Sequence, residues 1–360
     1  MKALIAMSGG VDSSVTAKLM QDAGFECIGC TMKLFEPEDL PQDAGRTRPS
    51  GTEDNVRDAD AVARRLGMPF FVFDYRDMFR ACVMEPFARA YAEGRTPNPC
   101  IECNHHLKFG QLLEEAKKLG CEYIATGHYA RVGFDEQTGK YQLKKGLDAS
   151  KDQSYVLYHL TQEQLAHVKL PLGEMEKPAV RAIAEREGFE SANRPDSQDI
   201  CFVPEGRYTQ VVEQIAGRSF PQGEFVDLDG QVMGTHKGII YYTIGQTRRL
   251  GQAFGRPRYV CRIEADTNRI VLGGPDDVYQ STAMAGRFNW ISGEALEGEI
   301  RCLVKTRYKQ KEQWATVRPQ EPGAVEIRFD EPQRAITPGQ AAVLYGGENG
   351  ELVLGGGTIL

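Results

Sequence analysis

Lys2–Val15 reads KALIAMSGGVDSSV, and the fold turns on how this stretch is read. Lys2–Met7 is a short apolar run of strand type. Val11, Val15 and Leu19 then recur at helical spacing until Gly24 offers a stop. Between strand and helix stand two glycines. A turn of this kind aims backbone N–H groups at an anion held on the helix N-terminus. Gly9 and Gly10 let the main chain come close and adopt dihedrals that other residues resist. Ser8, Ser13 and Ser14 add hydroxyl donors, and Asp12 is placed to hold a magnesium ion beside phosphates. No lysine follows the glycines, as it would in a Walker-type loop gripping the outer phosphates of a nucleotide.

Outward from this loop, the first 130 residues keep alternating strand and helix signals. Cys27–Met32 and Pro69–Phe73 read as strands, with a helix through Val56, Val62 and Leu66 between them. Leu112, Ala116 and Leu119 mark a further helix before a strand at Tyr123–Thr126. That rhythm implies a parallel sheet with helices on both faces. Residues 36–52, rich in Pro, Gly and charge, read as an exposed loop or mobile flap. From about 151 to 220 the pattern is more helical, clearest in KPAVRAIAEREG at 177–188. Beyond it the chain turns glycine-rich. RYVCRIEADTNRIVLGG reads as two strands about Thr267–Asn268, and GAVEIRFDEP puts Val325, Ile327 and Phe329 on one face. Small barrels are expected there, giving domains at 1–215, 216–280 and 281–360.

A length of 360 residues is more than one core usually serves. No apolar run approaches the length of a bilayer span, and MKALIAMSGG is unlike a secretory signal, so no membrane role and a cytoplasmic site are expected. The net charge of -7 argues against a uniformly basic nucleic-acid binder but leaves room for a local basic track. Nine cysteines are too sparse for a disulfide-built fold. Cys27 and Cys30 fall in a strand and read as buried small hydrophobes; Cys82 reads as core. Cys100 and Cys103, in GRTPNPCIECNHHLKFG, stand after a proline-stiffened turn, where a loop position favours reactivity over core filling. Cys201, in NRPDSQDICFVPEG, is the third thiol of interest.

The SGGVDSS loop resembles that of the ATP pyrophosphatases, which cut ATP between its alpha and beta phosphates and place AMP on a carbonyl oxygen. With no gamma-phosphoryl to transfer, such a loop requires no Walker lysine. Taken with TPNPCIECN, ATGHYAR at 125–131, KDQSY at 151–155 and SQDICF, it closely resembles the tRNA-specific 2-thiouridylases, in the family's order and over nearly the whole chain. That resemblance implies a parallel-sheet α/β N-terminal domain of the adenine-nucleotide alpha-hydrolase kind, a small central domain and a C-terminal β-barrel. It implies ATP-dependent 2-thiolation of the wobble uridine of tRNA, with an upstream protein as persulfide donor.

By the same resemblance, ATP is bound by Ala6, Met7, Ser8, Gly9, Gly10, Val11, Asp12 and Ser13, with Met32 and Gly127 lining the adenosine and magnesium as companion. Cys201 carries the persulfide and Cys103 is its partner thiol. Asn98, Pro99 and Cys100 meet the target base, and His128, Lys151, Asp152, Gln153, Arg307, Tyr308 and Gln340 touch the tRNA. VKTRYKQ reads as a basic strand suited to backbone contact and stacking. Many family members carry an aspartate where this chain has Cys100, which removes a base and adds a thiol. An alternative is therefore a 4Fe-4S cluster on Cys100, Cys103 and Cys201; zinc on the cysteine pair with His105 or His106 is a weaker one. A small-acid ligase with the same loop, and a tRNA-binding protein with a relic loop, are the readings from other classes.

Overall fold

In the computed structural model, residues 1–41, 53–193, 200–204, 206–320 and 323–360 are described. The chain starts as β1 (Lys2–Ala6), α1 (Val11–Asp22), β2 (Glu26–Lys33), α2 (Glu53–Arg65) and β3 (Phe70–Asp74). Of the expected flap at 36–52, residues 42–52 lie outside the described residues. A helical run follows: α3 (Arg76–Phe79), a π-helical turn at Arg80–Met84, and α4 (Glu85–Ala92). A second run comprises α5 (Pro99–Glu102), a π-helix over Cys103–Gln111 and α6 (Leu112–Lys118). Next come β4 (Tyr123–Ala125), the hairpin β5 (Ala130–Asp135) and β6 (Lys140–Lys145), α7 (Gln162–Ala166), β7 (Val168–Lys169), α8 (Lys177–Arg186) and α9 (Tyr208–Ala216).

Five strands form one parallel sheet in the order β3-β2-β1-β4-β7. Ala3, Leu4 and Ile5 of β1 are fully buried, as a strand covered on both faces requires. The chain runs outward from β1 to β3 and then crosses back to β4 on the other side. The strand order thus reverses between β1 and β4. Ligands of open α/β sheets bind in the crevice at that reversal, beyond the strand C-termini. Met7–Gly10 leaves β1 there, and Thr126–Tyr129 leaves β4.

The central module contains β8 (Gly223–Val226), β9 (Val232–His236), β10 (Tyr259–Glu264) and β11 (Arg269–Gly273), in the order β10-β11-β8-β9. Asn268, at φ 52°, turns the β10–β11 hairpin where the sequence places its tip. The last module has β12 (Tyr279–Trp290), β13 (Ile300–Lys305), β14 (Gln313–Gln320), β15 (Ala324–Arg334), β16 (Ala341–Gly346) and β17 (Leu352–Ile359). Pairing of β12 with both β15 and β17 closes these six into a barrel. Closure leaves no unpaired edge among them. Val325, Ile327 and Phe329 point into it, as their alternation foretells.

The barrel is built onto the first domain. β6 pairs with β17 at Lys144 and Leu352, and Lys145 N–H donates to Glu351 O at 2.9 Å. One hydrophobic cluster joins Leu4, Ile28 and Phe109 to Ala341, Val343, Tyr345 and Val353. Tyr155 lies at its centre, fully buried, its hydroxyl donating to Ala341 O at 2.8 Å. Truncating such a ring costs about 3–5 kcal/mol, so the barrel is a fixed wall of the first domain. No described helix is long and apolar enough to cross a membrane.

Candidate active site

The glycine loop is held open by its own side chains. Ser8 N–H donates to Ser13 Oγ at 3.1 Å, while the hydroxyls of Ser13 and Ser14 donate to Gly10 O at 3.1 and 2.9 Å. Gly9 has φ 75°, and a Cβ there would stand 2.7 Å from Asp58 Cβ. At Gly127 a Cβ would lie 3.0–3.2 Å from the backbone of Asp12 and Ser13, so glycine is what lets the β4 loop close onto the β1 loop. Ala6 ends β1, Met7 N–H donates to Cys30 O at 2.7 Å, and Val11 is buried at the start of α1. Half-buried Met32 packs between the two largest clusters.

Asp12 has two partners that the sequence reading did not assign. Lys177 Nζ and Tyr129 Oη both donate to Asp12 Oδ1, each at 2.7 Å. Lys177 also lies over the Tyr129 ring, 5.6 Å from its centroid. A cation therefore does stand at this phosphate loop, delivered from α8. Lys177 opens α8 against the helix dipole and is buried nonetheless.

The thiols do not sit as the sequence suggested. Asn98 caps α5, its Oδ1 accepting from Cys100 N–H at 3.2 Å, and buried Pro99 takes the first helical position. The turn expected at Cys100–Cys103 is thus a helix start, because Asn followed by Pro is a cap signal as well as a turn signal. Cys103 is buried; Cys100 reaches the surface. Cys103 and Cys201 share one hydrophobic cluster with Phe79, Phe87 and Phe202. All three thiols influence one another electrostatically, and the Lys108 ammonium acts on each. Burial pushes the Cys103 thiol up to about 11 and Cys201 higher still. Cys100 is raised too, since protein crowds its thiol although the residue meets solvent. In place of the expected loop there is a helix start, where desolvation outweighs the opposing Lys108 ammonium and raises all three thiols. Cys201's upstream neighbours, 194–199, lie outside the described residues.

Among the described residues, no set of three or more His, Cys, Asp or Glu is arranged to hold a metal ion. Cys100, Cys103 and Cys201 nonetheless lie near enough to influence one another electrostatically. Cys27 and Cys30 are buried, as expected; Cys82 is only partly so.

The remaining expected RNA contacts divide. Gln153 Oε1 accepts from Tyr129 N–H at 3.0 Å. Asp152 Oδ1 accepts from the N–H groups of Gly146 and Ser154 at 3.0 and 3.1 Å, and Lys151 N–H donates to Asp148 O. His128 is buried, with Nδ1 2.7 Å from Thr126 Oγ1, and burial holds its imidazole well below its ordinary range. Tyr308 Oη donates to Asp152 O at 3.1 Å and lies within electrostatic reach of Cys100. Gln340 Nε2 donates to Thr96 O at 2.7 Å, fastening the barrel to the strap before the thiols. Arg307 is spent inside the fold: its Nη2 donates to Ile244 O at 3.2 Å, Ala335 O at 2.7 Å and Thr337 Oγ1 at 2.6 Å. VKTRYKQ is not one strand either, for β13 ends at Lys305 and a turn carries the rest.

A glycine loop at the switch point of a parallel sheet, followed by two β-rich modules, defines an α/β protein of the pyrophosphatase-loop fold. Family models described as tRNA methyl transferase HUP domain, tRNA methyl transferase PRC-barrel domain and aminomethyltransferase β-barrel domain match residues 1–205, 209–274 and 280–359. The chain is 45% identical over 358 residues to the tRNA-specific 2-thiouridylase MnmA of Clostridioides difficile, covering 99% of this chain and 98% of that one. It is 46% identical over 356 residues to its counterpart in Moorella thermoacetica, covering 99% and 98%. The chain belongs to the tRNA-specific 2-thiouridylase family. A 4-thiouridine synthetase solved with RNA and ATP is a distant likeness only, at a TM-score of 0.35 and 16% identity over 60% of this chain and 50% of that one.

Proposed function

We propose that the chain uses ATP to replace the C2 oxygen of the wobble uridine of tRNA by sulfur. The observation that carries this reading is the gathering of Cys103 and Cys201 into one apolar cluster with Cys100 beside it. ATP binds at Ala6–Ser13, with Met32 and Gly127 against the adenosine. The uridine C2 oxygen attacks the alpha phosphorus, pyrophosphate leaves, and the C2–O bond now carries AMP as leaving group. Backbone N–H groups of the loop and the ammonium of Lys177 offset charge on the departing pyrophosphate. Asp12 is the residue that would hold a magnesium ion, which would neutralise phosphate charge.

Cys201 receives sulfur as a persulfide from a donor protein. Its terminal sulfur attacks C2 and AMP departs. Cys103, once deprotonated, attacks Cys201 Sγ, so the S–S bond breaks toward the base, leaving 2-thiouridine and a Cys103–Cys201 disulfide. A thiol reductant restores the pair. The alternative order, in which Cys103 first releases hydrosulfide, gives the same products. Asn98, Pro99 and Cys100 border the base, and His128, Lys151–Gln153, Tyr308 and Gln340 lie along the RNA path.

Pyrophosphate release tests the first step. It is expected to rise when uridine-bearing tRNA is added with ATP. Stimulation by a small acid and not by tRNA refutes the proposal.

A further inference from the structure

The loop expected to grip ATP and the segment expected to touch RNA are separate in sequence, yet one residue is bonded to both. Tyr129 is almost wholly buried. Its hydroxyl donates to Asp12 Oδ1 at 2.7 Å, the oxygen that also takes Lys177. Its backbone is held from the other side by Gln153 twice over: Tyr129 N–H donates to Gln153 Oε1 at 3.0 Å, and Gln153 N–H donates to Tyr129 O at 2.8 Å. Gln153 in turn follows Asp152, whose carboxylate collects Gly146 N–H, Ser154 N–H and the Ser154 hydroxyl, and whose carbonyl takes Tyr308 from the barrel.

We propose that Tyr129 is the positioning residue through which RNA engagement at Lys151–Gln153 sets the carboxylate of Asp12 in the ATP loop. Two backbone bonds at one end and a charge-assisted bond at the other leave the ring little freedom. A shift of the 151–153 turn under RNA contact therefore moves the hydroxyl against Asp12, and with it the balance between Tyr129 and Lys177 on a single oxygen. That balance decides how Asp12 faces a metal–nucleotide. Two ligands linked in this way must alter each other's affinity by the same factor. The device also serves the chemistry, because ATP is committed only when a base stands ready to take AMP.

The inference rests on the proposed ATP and RNA roles of these segments, so the test separates the two. The full chain is titrated with an ATP analogue bearing an uncleavable alpha–beta bridge, with and without saturating unmodified tRNA transcript. The wild-type ratio of the two dissociation constants is expected to be about tenfold. Tyr129→Phe brings the ratio to within about twofold of one, while tRNA affinity measured without nucleotide stays within about twofold of wild type. Gln153→Ala, cut at the opposite end, also loses the ratio. Ser154→Ala, which loosens the same segment without touching Tyr129, keeps it, and so separates linkage from general loosening. A wild-type ratio in both Tyr129→Phe and Gln153→Ala overturns the inference. A wild-type chain that binds both ligands with no mutual effect overturns it while leaving the functional reading intact. A chain that binds neither ligand overturns both.

Discussion

Alkylation of Cys103 by iodoacetamide is governed by the same burial that brings it to Cys201. Only the thiolate reacts, and desolvation lifts the Cys103 thiol from an ordinary 9.0 to about 11. The Lys108 ammonium pulls it down and Cys100 pushes it up, but neither matches the desolvation. Each tenfold loss of thiolate corresponds to one pH unit, so at pH 7.5 Cys103 holds about a hundredfold less thiolate than an unshifted thiol. Its limited access slows the reagent further. Timed labelling of the folded chain from pH 7 to 11, read by peptide mass analysis, is compared with the same chain unfolded in urea. The folded Cys103 is expected to react at least about a hundredfold more slowly at pH 7.5, with its rate still rising at pH 10. Lys108→Met moves the profile to higher pH, since it removes the opposing cation. A folded-state midpoint near pH 8.5 would refute the reasoning. Catalysis then requires the thiol to be deprotonated by a change on binding, which labelling in the presence of ATP and tRNA can follow.

Gly9→Ala is expected to abolish ATP binding while costing about 1–3 kcal/mol of stability, because φ is 75° and the new Cβ meets Asp58 Cβ at 2.7 Å; equilibrium dialysis and thermal melting measure the two effects. Arg307→Ala is expected to lower stability by about 1–3 kcal/mol, stranding Ile244 O and leaving Ala335 O with the Thr337 hydroxyl alone. A denaturant melt that leaves the midpoint unchanged would return Arg307 to the RNA-facing role. Stability should also fall with acid before carboxylates titrate. His128 and His159 are buried neutral, the latter held down to about 3, chiefly by desolvation. The unfolded chain takes up these protons near pH 6.5 and the folded chain does not. Each therefore costs up to about 1.4 kcal/mol per pH unit as pH falls from 6.5 toward the folded value. Urea midpoints between pH 7 and 4.5 report it, and His159→Gln should flatten the slope.

The parallel sheet was legible because period and punctuation agree: Lys2–Ala6, the glycines and the α1 spacing each point to the same unit. GAVEIRFDEP was equally plain, since a barrel strand needs one apolar face. Cys100–Cys103 misled because proline and asparagine serve both turns and helix caps, and local sequence does not decide between them. Cys103 is buried in a cluster that also holds Phe79, Phe87 and Phe202, residues that only tertiary packing brings together. Arg307 misled for a related reason. Three acceptors claim its guanidinium, and two of them come from the turn at Ala335–Thr337 and one from the central module. Lys177 and Tyr129 stood inside stretches the sequence reading quoted, but only the fold carries them to Asp12. No spacing rule connects residues so far apart in the chain.

Sulfur-for-oxygen exchange at a uridine, driven by ATP and carried out by two converging thiols, is tested by mass analysis of nucleosides from tRNA incubated with the protein, ATP and a persulfide source. Wild-type protein should yield 2-thiouridine only when ATP is present, Cys201→Ser none, and Cys103→Ser none beyond background. Full yield from Cys103→Ser or Cys201→Ser, or equal yield without ATP, would contradict the mechanism.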